Sequence, residues 1–142
     1  MKKQLTLSLA AFLCLTLVFS SCKKDKDEKA VTTSEKLLGT WNLVKSDYTA
    51  TVGGISGTQS SPAPAGSTVQ FNTDSTVVAK TDETYTGNWR LNGSNLVITD
   101  AGELSSPDSG YVIKTLTDKE LKVSTSGTAG GSSYEITLFL NR

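Results

Sequence analysis

From residue 35 onward, the chain consists of short segments in which apolar and polar residues alternate. Alternation with a period of two places apolar side chains on one face of a strand and polar side chains on the other. Because the polar positions are mostly Thr, Asn, Ser, Lys and Glu, each strand should have one buried and one solvated face, as antiparallel sheets do. Eight strands are predicted, at residues 40–50, 68–72, 76–81, 84–91, 95–100, 110–116, 120–125 and 133–141.

The connections between these strands contain turn-forming residues, of which Asn92-Gly93 is the strongest hairpin signal. Residues 51–67 have almost no large apolar side chain. That composition fits a surface loop acting as a lid, a disordered loop, or an extended hairpin within residues 46–60 around Gly53-Gly54. Other tight turns are expected at 72–75, 82–83 and 117–119, and longer loops at 101–109 and 126–132.

One helical turn is predicted before the first strand, at residues 35–38, with Thr33 or Ser34 as its cap and Gly39 at its end. Residues 35–142 are long enough for one domain. Eight sequential strands with mostly short connections favour an all-β, antiparallel, up-and-down sheet. Closing it into an eight-stranded barrel removes exposed edges. An incompletely closed barrel and an open sandwich remain the alternatives.

The first residues have a different pattern. Lys2 and Lys3 precede an apolar run of 15 residues, 5–19, which is shorter than the ~20 residues needed to span a bilayer. A positive start, a short apolar run and small residues at its end are typical of a secretory signal. Residues 1–21 are therefore predicted to be a signal peptide.

Phe19-Ser20-Ser21-Cys22 resembles the lipobox of bacterial lipoproteins. The resemblance implies cleavage before Cys22 and attachment of a diacylglycerol and a further acyl chain, such as palmitate, to that residue. Two or more chains anchor a protein stably in a membrane. Lys23, where Asp would signal inner-membrane retention in that family, implies the outer membrane of the cell envelope. An ordinary signal peptide with a chance cysteine is the alternative.

Residues 22–34 follow as a lipid-anchored cysteine and a charged tether. The seven residues after Cys22 are all charged, and such a segment cannot bury enough apolar surface to fold. The run is also similar to signals that send some lipoproteins to the cell surface, and a plain solvated linker is the other interpretation.

Composition narrows the function of the remaining domain. Without residues 1–21 the chain has 12 Lys and Arg against 14 Asp and Glu, a formal net charge of −2 with no basic stripe, so nucleic acid is not an expected partner. The chain has no histidine, which excludes Ser-His and Cys-His nucleophile pairs and His-based zinc sites. Enzyme chemistry through carboxylates alone is the remaining alternative, but no carboxylate pair stands out in the sequence. We therefore predict a protein that is not an enzyme and has no cofactor or metal.

Gly39-Thr40-Trp41, after the helical turn and at the start of the first strand, resembles the G-x-W motif of the lipocalin-like superfamily. The resemblance covers residues 35–142 and is greatest to small lipocalin-like domains of bacterial lipoproteins. It implies a barrel whose closed end is packed by Trp41 and covered by a basic residue of the last strand, which Arg142 supplies. Thr117-Asp118 matches a second motif weakly, because Lys119 stands where a tyrosine is usual.

Lipocalins bind small apolar molecules inside the barrel, so the resemblance implies a membrane-anchored, non-catalytic protein with a small hydrophobic ligand. The alternative is a structural or interaction lipoprotein whose filled barrel presents its loops to a protein or glycan. Each inward aromatic residue belongs either to the core or to the pocket. The candidate ligand-binding residues are Phe71, Tyr85, Trp89, Tyr111 and Tyr134, with Ile55 in the expected lid.

Lipidation leads to a direct prediction. Replacing Cys22 with Ala should abolish incorporation of a clickable palmitate analogue and release the protein from the membrane fraction, because the acylated thiol is gone. Cys14→Ala is the matched control and should still be labelled, since Cys14 lies in the apolar run that is removed. Labelling of the Cys22→Ala chain would contradict the predicted anchor.

Overall fold

The computed structural model describes residues 32–142, so the predicted signal peptide, Cys22 and most of the tether lie outside the described residues. Residues 31–142 form one compact unit. Its elements are α1 Thr33–Leu37, β1 Gly39–Val52, β2 Ile55–Pro62, β3 Thr68–Phe71, β4 Thr76–Lys80, β5 Thr84–Asn92, β6 Asn95–Thr99, a 3-10 helix Gly102–Leu104, β7 Tyr111–Leu116, β8 Glu120–Ala129 and β9 Ser132–Asn141.

The strands form a single antiparallel sheet that closes on itself. Each strand from β3 to β8 pairs with the next strand along the chain, and β1 joins the two ends of this series by pairing with β3 and β9. The first residues of β1 pair with β3, while its residues 42–51 pair with β9. The predicted closed eight-stranded barrel, formed by β1 and β3 to β9, is confirmed, and the open sandwich is excluded.

β2 is a ninth strand outside the barrel. It pairs with the distal half of β1, from Lys45↔Pro62 to Val52↔Ile55. Gly53 and Gly54 have φ angles of +58° and +84°, which is the backbone of a two-residue type I′ turn that only glycine adopts easily. Of the three alternatives for residues 51–67, the extended hairpin is therefore the correct one, and the long lid loop is not formed.

A second long hairpin stands beside it. β8 and β9 pair as far as Ala129↔Ser132, around Gly130-Gly131. The predicted loop at 126–132 is therefore wrong, because a two-residue glycine turn lets both strands continue. The outer halves of these hairpins form a four-stranded sheet in the order β2-β1-β9-β8. We call this part, residues 46–62 and 125–136, the raised sheet, since it continues past the last pairing of β8 with β7.

The barrel is weakest between β6 and β7, which share two residue pairs. The loop after β6 compensates for this. Ser106 donates its backbone N–H to the Ile98 carbonyl at 2.8 Å, and its hydroxyl oxygen accepts the Ile98 N–H at 3.0 Å. A single serine thus takes the place of a strand residue and satisfies buried backbone groups that would otherwise be unpaired.

Helix α1 begins at Thr33, two residues earlier than predicted. Thr32, rather than Thr33 or Ser34, caps it, and the Glu35 side chain returns a hydrogen bond to the Thr32 backbone, which completes a capping box. Leu37 is fully buried and fixes the helix to the barrel. Among residues 32–142, no helix has the length and hydrophobicity needed to cross a membrane.

The barrel interior is packed with side chains of alternate strand positions. A continuous cluster runs through all the barrel strands and includes the 3-10 helix. Its largest fully buried members are Trp41, Phe71, Leu37, Leu96, Leu121, Val77 and Val123.

Gly87 gives a prediction about barrel closure. A Cβ atom at this position of β5 would lie 1.9 Å from the Thr99 carbonyl oxygen and 2.8 Å from the Asp100 carbonyl carbon. Backbone cannot move aside as a side chain can, so Gly87→Ala should lower the free energy of unfolding by about 3 kcal/mol, at the upper end for overpacking. Urea unfolding of residues 31–142 measures this.

Gly57→Ala is the matched control. Gly57 also lies within a strand, and a Cβ atom there would meet nothing within 4 Å. Its stability should change by less than about 0.5 kcal/mol. Equal effects of the two substitutions would show that the close approach of Gly87 to residues 99–100 is not a constraint on the fold.

Candidate functional site

The two ends of the barrel differ. Because neighbouring strands are antiparallel, α1, the start of β1 and the end of β9 lie at one end, together with the turns 72–75, 93–94 and 117–119. The opposite end carries the raised sheet, the β4–β5 turn and the loop 100–110. We call them the closed end and the mouth.

Trp41 fills the closed end. Its side chain is fully buried, and its indole N–H donates to the Leu37 carbonyl of α1 at 2.8 Å. The Arg142 guanidinium carbon lies 3.9 Å from the centre of the indole ring, in a cation–π contact. The arginine therefore lies directly on the tryptophan, and the other arginine of the chain, Arg90, is exposed on β5.

Arg142 also satisfies backbone oxygens at the end of α1. Its Nη1 donates to the Leu38 carbonyl at 2.9 Å, its Nη2 donates to the Lys36 carbonyl, and its Nε donates to the Asp118 carbonyl at 3.0 Å. The last carbonyls of a helix have no partner within the helix. A cation with several donors satisfies them and ties the helix to the β7–β8 turn.

Gly39 connects α1 to β1 with a φ of +102°, where residues with a side chain are strained. A Cβ atom there would also lie 3.3 Å from Nη1 of Arg142. Gly39 is thus required both by the backbone and by the arginine that covers Trp41.

The mouth holds a pocket of about 490 Å³, which we call the mouth pocket. Its wall combines the inner faces of β1, β8 and β9 with the end of β2, the β4–β5 turn and the 3-10 helix. The apolar lining residues are Leu43, Pro62, Ala63, Pro64, Leu104, Pro107, Tyr111, Tyr134, Ile136 and Leu138, and the polar ones are Ser46, Ser61, Thr81, Asp82, Glu103, Ser105, Ser106 and Thr125.

Charge at the mouth is negative. Asp82 and Glu103 line the pocket, and no lysine or arginine belongs to its lining among the described residues. Tyr85 lies in the same negative environment. Its hydroxyl donates a hydrogen bond to Glu83 at 2.8 Å. This bond, together with the negative charges of Glu83, Glu103 and Asp82, raises the pKa of the phenol. The rim therefore disfavours anions.

Two of the aromatic candidates from the sequence line the mouth pocket. Tyr111 is 4% exposed, and burial raises the pKa of its phenol, so the hydroxyl remains a hydrogen-bond donor. Its contact to the Ser105 carbonyl is long, 3.4 Å, which leaves much of its bonding capacity for a ligand. Tyr134 stacks on Tyr48 with ring centres 6.2 Å apart.

The other candidates lie elsewhere. Phe71 and Trp89 form an edge-to-face pair with ring centres 5.5 Å apart in the buried core, and the Trp89 indole donates to the Asn72 carbonyl at the closed end. Tyr85 lies at the acidic rim, outside the lining. Ile55 is at the tip of the β1–β2 hairpin, 79% exposed, and does not line the pocket.

Sequence reasoning did not identify several lining residues. Leu104 and Glu103 come from the 3-10 helix, and Asp82 comes from the β4–β5 turn, where no periodic pattern marks a residue as inward. Leu43 and Leu138 fall on the apolar faces of the strands predicted at 40–50 and 133–141, but the alternation alone does not distinguish a pocket position from a core position. Among the described residues, no group of three or more acidic, histidine or cysteine side chains is placed to hold a metal ion.

The closed end leads to a prediction on stability. Arg142→Ala removes the cation–π contact and three hydrogen bonds to carbonyls, so it should lower the free energy of unfolding by about 2 kcal/mol, discounted for the exposure of the arginine. Arg142→Lys should recover only part of this loss, because an ammonium cannot reach all three carbonyls in the fork geometry.

Arg90→Ala is the control, since Arg90 is exposed and has no such contacts among those found in the described part of the chain. Its effect should stay within about 0.5 kcal/mol. Full recovery by lysine, or equal losses at the two arginines in urea unfolding, would contradict the role assigned to Arg142.

Comparison with known proteins agrees with this geometry. A family model described as a lipocalin-like domain matches residues 37–123, from the last residue of α1 into β8. Comparisons with curated proteins and with solved structures give no significant match. The family match spans more than half of the chain, so the chain belongs to the lipocalin-like domain family.

Proposed function

We propose that this protein is a lipid-anchored, non-catalytic binding protein of the outer membrane that holds a small, uncharged, largely apolar molecule in the mouth pocket. The observation that carries the proposal is the pocket itself, which opens at the end of the barrel opposite the Trp41–Arg142 seal. Its family supports this, because lipocalin-like barrels are typically ligand-binding proteins.

The size and lining of the pocket favour a small ligand. About 490 Å³ lies within the usual range of small-molecule sites, and leucine, isoleucine, proline and tyrosine side chains provide most of the wall. A few polar groups orient a ligand in such sites. Here Tyr111 and Thr125 provide buried hydroxyl groups, and Ser46 lies on the same wall.

The charge of the rim selects among apolar molecules. A carboxylate or phosphate entering the pocket would approach Asp82 and Glu103 without any cation in the described lining to compensate for its lost hydration. A neutral ligand, or one with a positive end, meets no such penalty. We therefore expect a free fatty acid to bind more weakly than an uncharged ligand of the same size.

The absence of a reaction is part of the proposal and has a chemical basis. The chain has no histidine, and the buried titratable group of the pocket is Tyr111, whose raised pKa keeps it protonated near neutral pH. A protonated phenol donates hydrogen bonds but does not act as a base. The predicted acylation of Cys22 would hold this binding domain at the membrane through the charged tether.

The pocket can be filled by mutation. Ser46 lies on the inner face of β1 and lines the mouth pocket. In residues 31–142, Ser46→Phe should weaken binding of Nile red, an uncharged apolar dye, by at least about tenfold, because the ring occupies the cavity. Ser133→Phe is the control, since Ser133 is exposed on the other face of the raised sheet. Fluorescence titration measures both.

The same titration tests the charge argument. An anionic dye of similar size, anilinonaphthalene sulfonate, should bind wild-type protein at least about tenfold more weakly than Nile red and gain affinity when Asp82 and Glu103 are replaced by Asn and Gln. Nile red binding that is unchanged by Ser46→Phe would place the dye outside the mouth pocket and refute the proposed site.

A further inference from the structure

One edge of β2 is unpaired in the part of the chain that the structure describes. The two-residue turn makes Val52↔Ile55 the first pair of the hairpin, and that pair exchanges both backbone hydrogen bonds. Bonded and non-bonded pairs then alternate along an antiparallel ladder. The backbone groups that point away from β1 are therefore the N–H and C=O of Ser56, Thr58 and Ser60 and the carbonyl of Pro62, which has no N–H.

This edge lacks the features that usually block strand pairing. All eight residues of β2 are exposed, and the β1–β2 register shows no bulge. Residues 52–66 contain no charged side chain. Pro62, which has no N–H, comes only at the end of the strand. Free edges without charge, bulge or central proline are templates for another strand.

We propose that two copies of this chain pair through their β2 edges, antiparallel, with the two-fold axis at Thr58. Ser56 then faces the partner's Ser60, Thr58 faces the partner's Thr58, and Ser60 faces the partner's Ser56. Each of these pairs exchanges two hydrogen bonds, so all six outward N–H groups of the two edges and the six carbonyls of the same residues are satisfied.

A second copy fits this edge for a reason of symmetry. The outward N–H groups are centred on Thr58, with one on each side, and the side chains of Ser56, Thr58 and Ser60 are small and neutral. The same patch therefore complements itself, as a two-fold interface requires. The uncharged stretch 52–66 also means that two copies do not repel each other across the contact.

The register has a consequence for the mouth pocket. Ile55 and Ser61 share the inner face of β2, and Ser61 lines the pocket. In the proposed pairing the partner's Ile55 stands directly opposite Ser61, on the pocket side. The side chain that is 79% exposed in one copy thus becomes an apolar addition to the pocket wall of the other. The dimer rests on the edge geometry alone and does not require the proposed ligand.

The first test uses a charge at the axis. Thr58→Lys places two ammonium groups directly opposite each other in the dimer, which destabilises a strand pair. Native mass spectrometry of the full chain released from detergent micelles should show dimers for wild-type protein and a dissociation constant at least about tenfold higher for Thr58→Lys. Thr128→Lys, an equally exposed threonine on the opposite edge strand of the raised sheet, should leave the dimer unchanged.

The second test traps the register. Two Thr58→Cys chains would have their Cα atoms about 5.5 Å apart, which suits a disulfide. Thr49→Cys, on the neighbouring strand, would place them about 15 Å apart. The full chain in membranes should form more disulfide dimers with Thr58→Cys than with Thr49→Cys. Both variants keep Cys14 and Cys22, so the Thr49→Cys chain also measures any cross-linking through those two residues. Any of four results would overturn the proposal: monomeric wild-type protein, a different chain bound at this edge, loss of the dimer in Thr128→Lys, or equal cross-linking of the two cysteine variants.

Discussion

A single irregularity in β1 determines which side chains the mouth receives. The pairing of β1 with β9 shifts between Leu43 and Lys45, so that one extra residue, Val44, bulges outward. With an unbroken period of two, Lys45 and Asp47 would follow Trp41 and Leu43 into the barrel. After the bulge, Ser46 and Tyr48 face inward instead. The charged pair lies on the outer face, with Lys45 2.9 Å from Asp47 and over the Phe139 ring.

The bulge also marks the place where β1 changes neighbours. Before it, β1 pairs with β3 and belongs to the closed end; after it, β1 pairs with β2 and belongs to the raised sheet. The Leu43 N–H and the Val44 carbonyl bond to Ser67 and Ala63 in the loop between β2 and β3. The loop between β2 and β3 thus provides hydrogen-bond partners for the backbone at the bulge. The mouth pocket lies next to this loop.

The parts that were predictable from the sequence are those that bury one face. The barrel strands show alternation because their inner side chains enter the core, and Trp41 was identifiable from its motif. The sequence does not single out β2, because the segment ISGTQSSP buries neither face and so has no hydrophobic period. The bulge at Val44 has no sequence signal, and without it the inward residues of distal β1 cannot be assigned. The Thr32 cap was missed because three hydroxyl residues in succession, Thr32 to Ser34, are equally suited to the role.

The contrast between filled and open halves of the barrel follows from side-chain size along the same strands. The closed end is packed with large side chains, which belong to Trp41, Phe71, Val77 and Trp89. Towards the mouth, the inward positions of β1 and β8 become Ser46 and Thr125, which cannot reach across the barrel. The packed layer and the mouth pocket thus occupy different parts of the same interior. Since the strand pairings bring these small side chains under loops that contribute carboxylates, the chemistry of the mouth depends on the turns, while its position depends on the sheet.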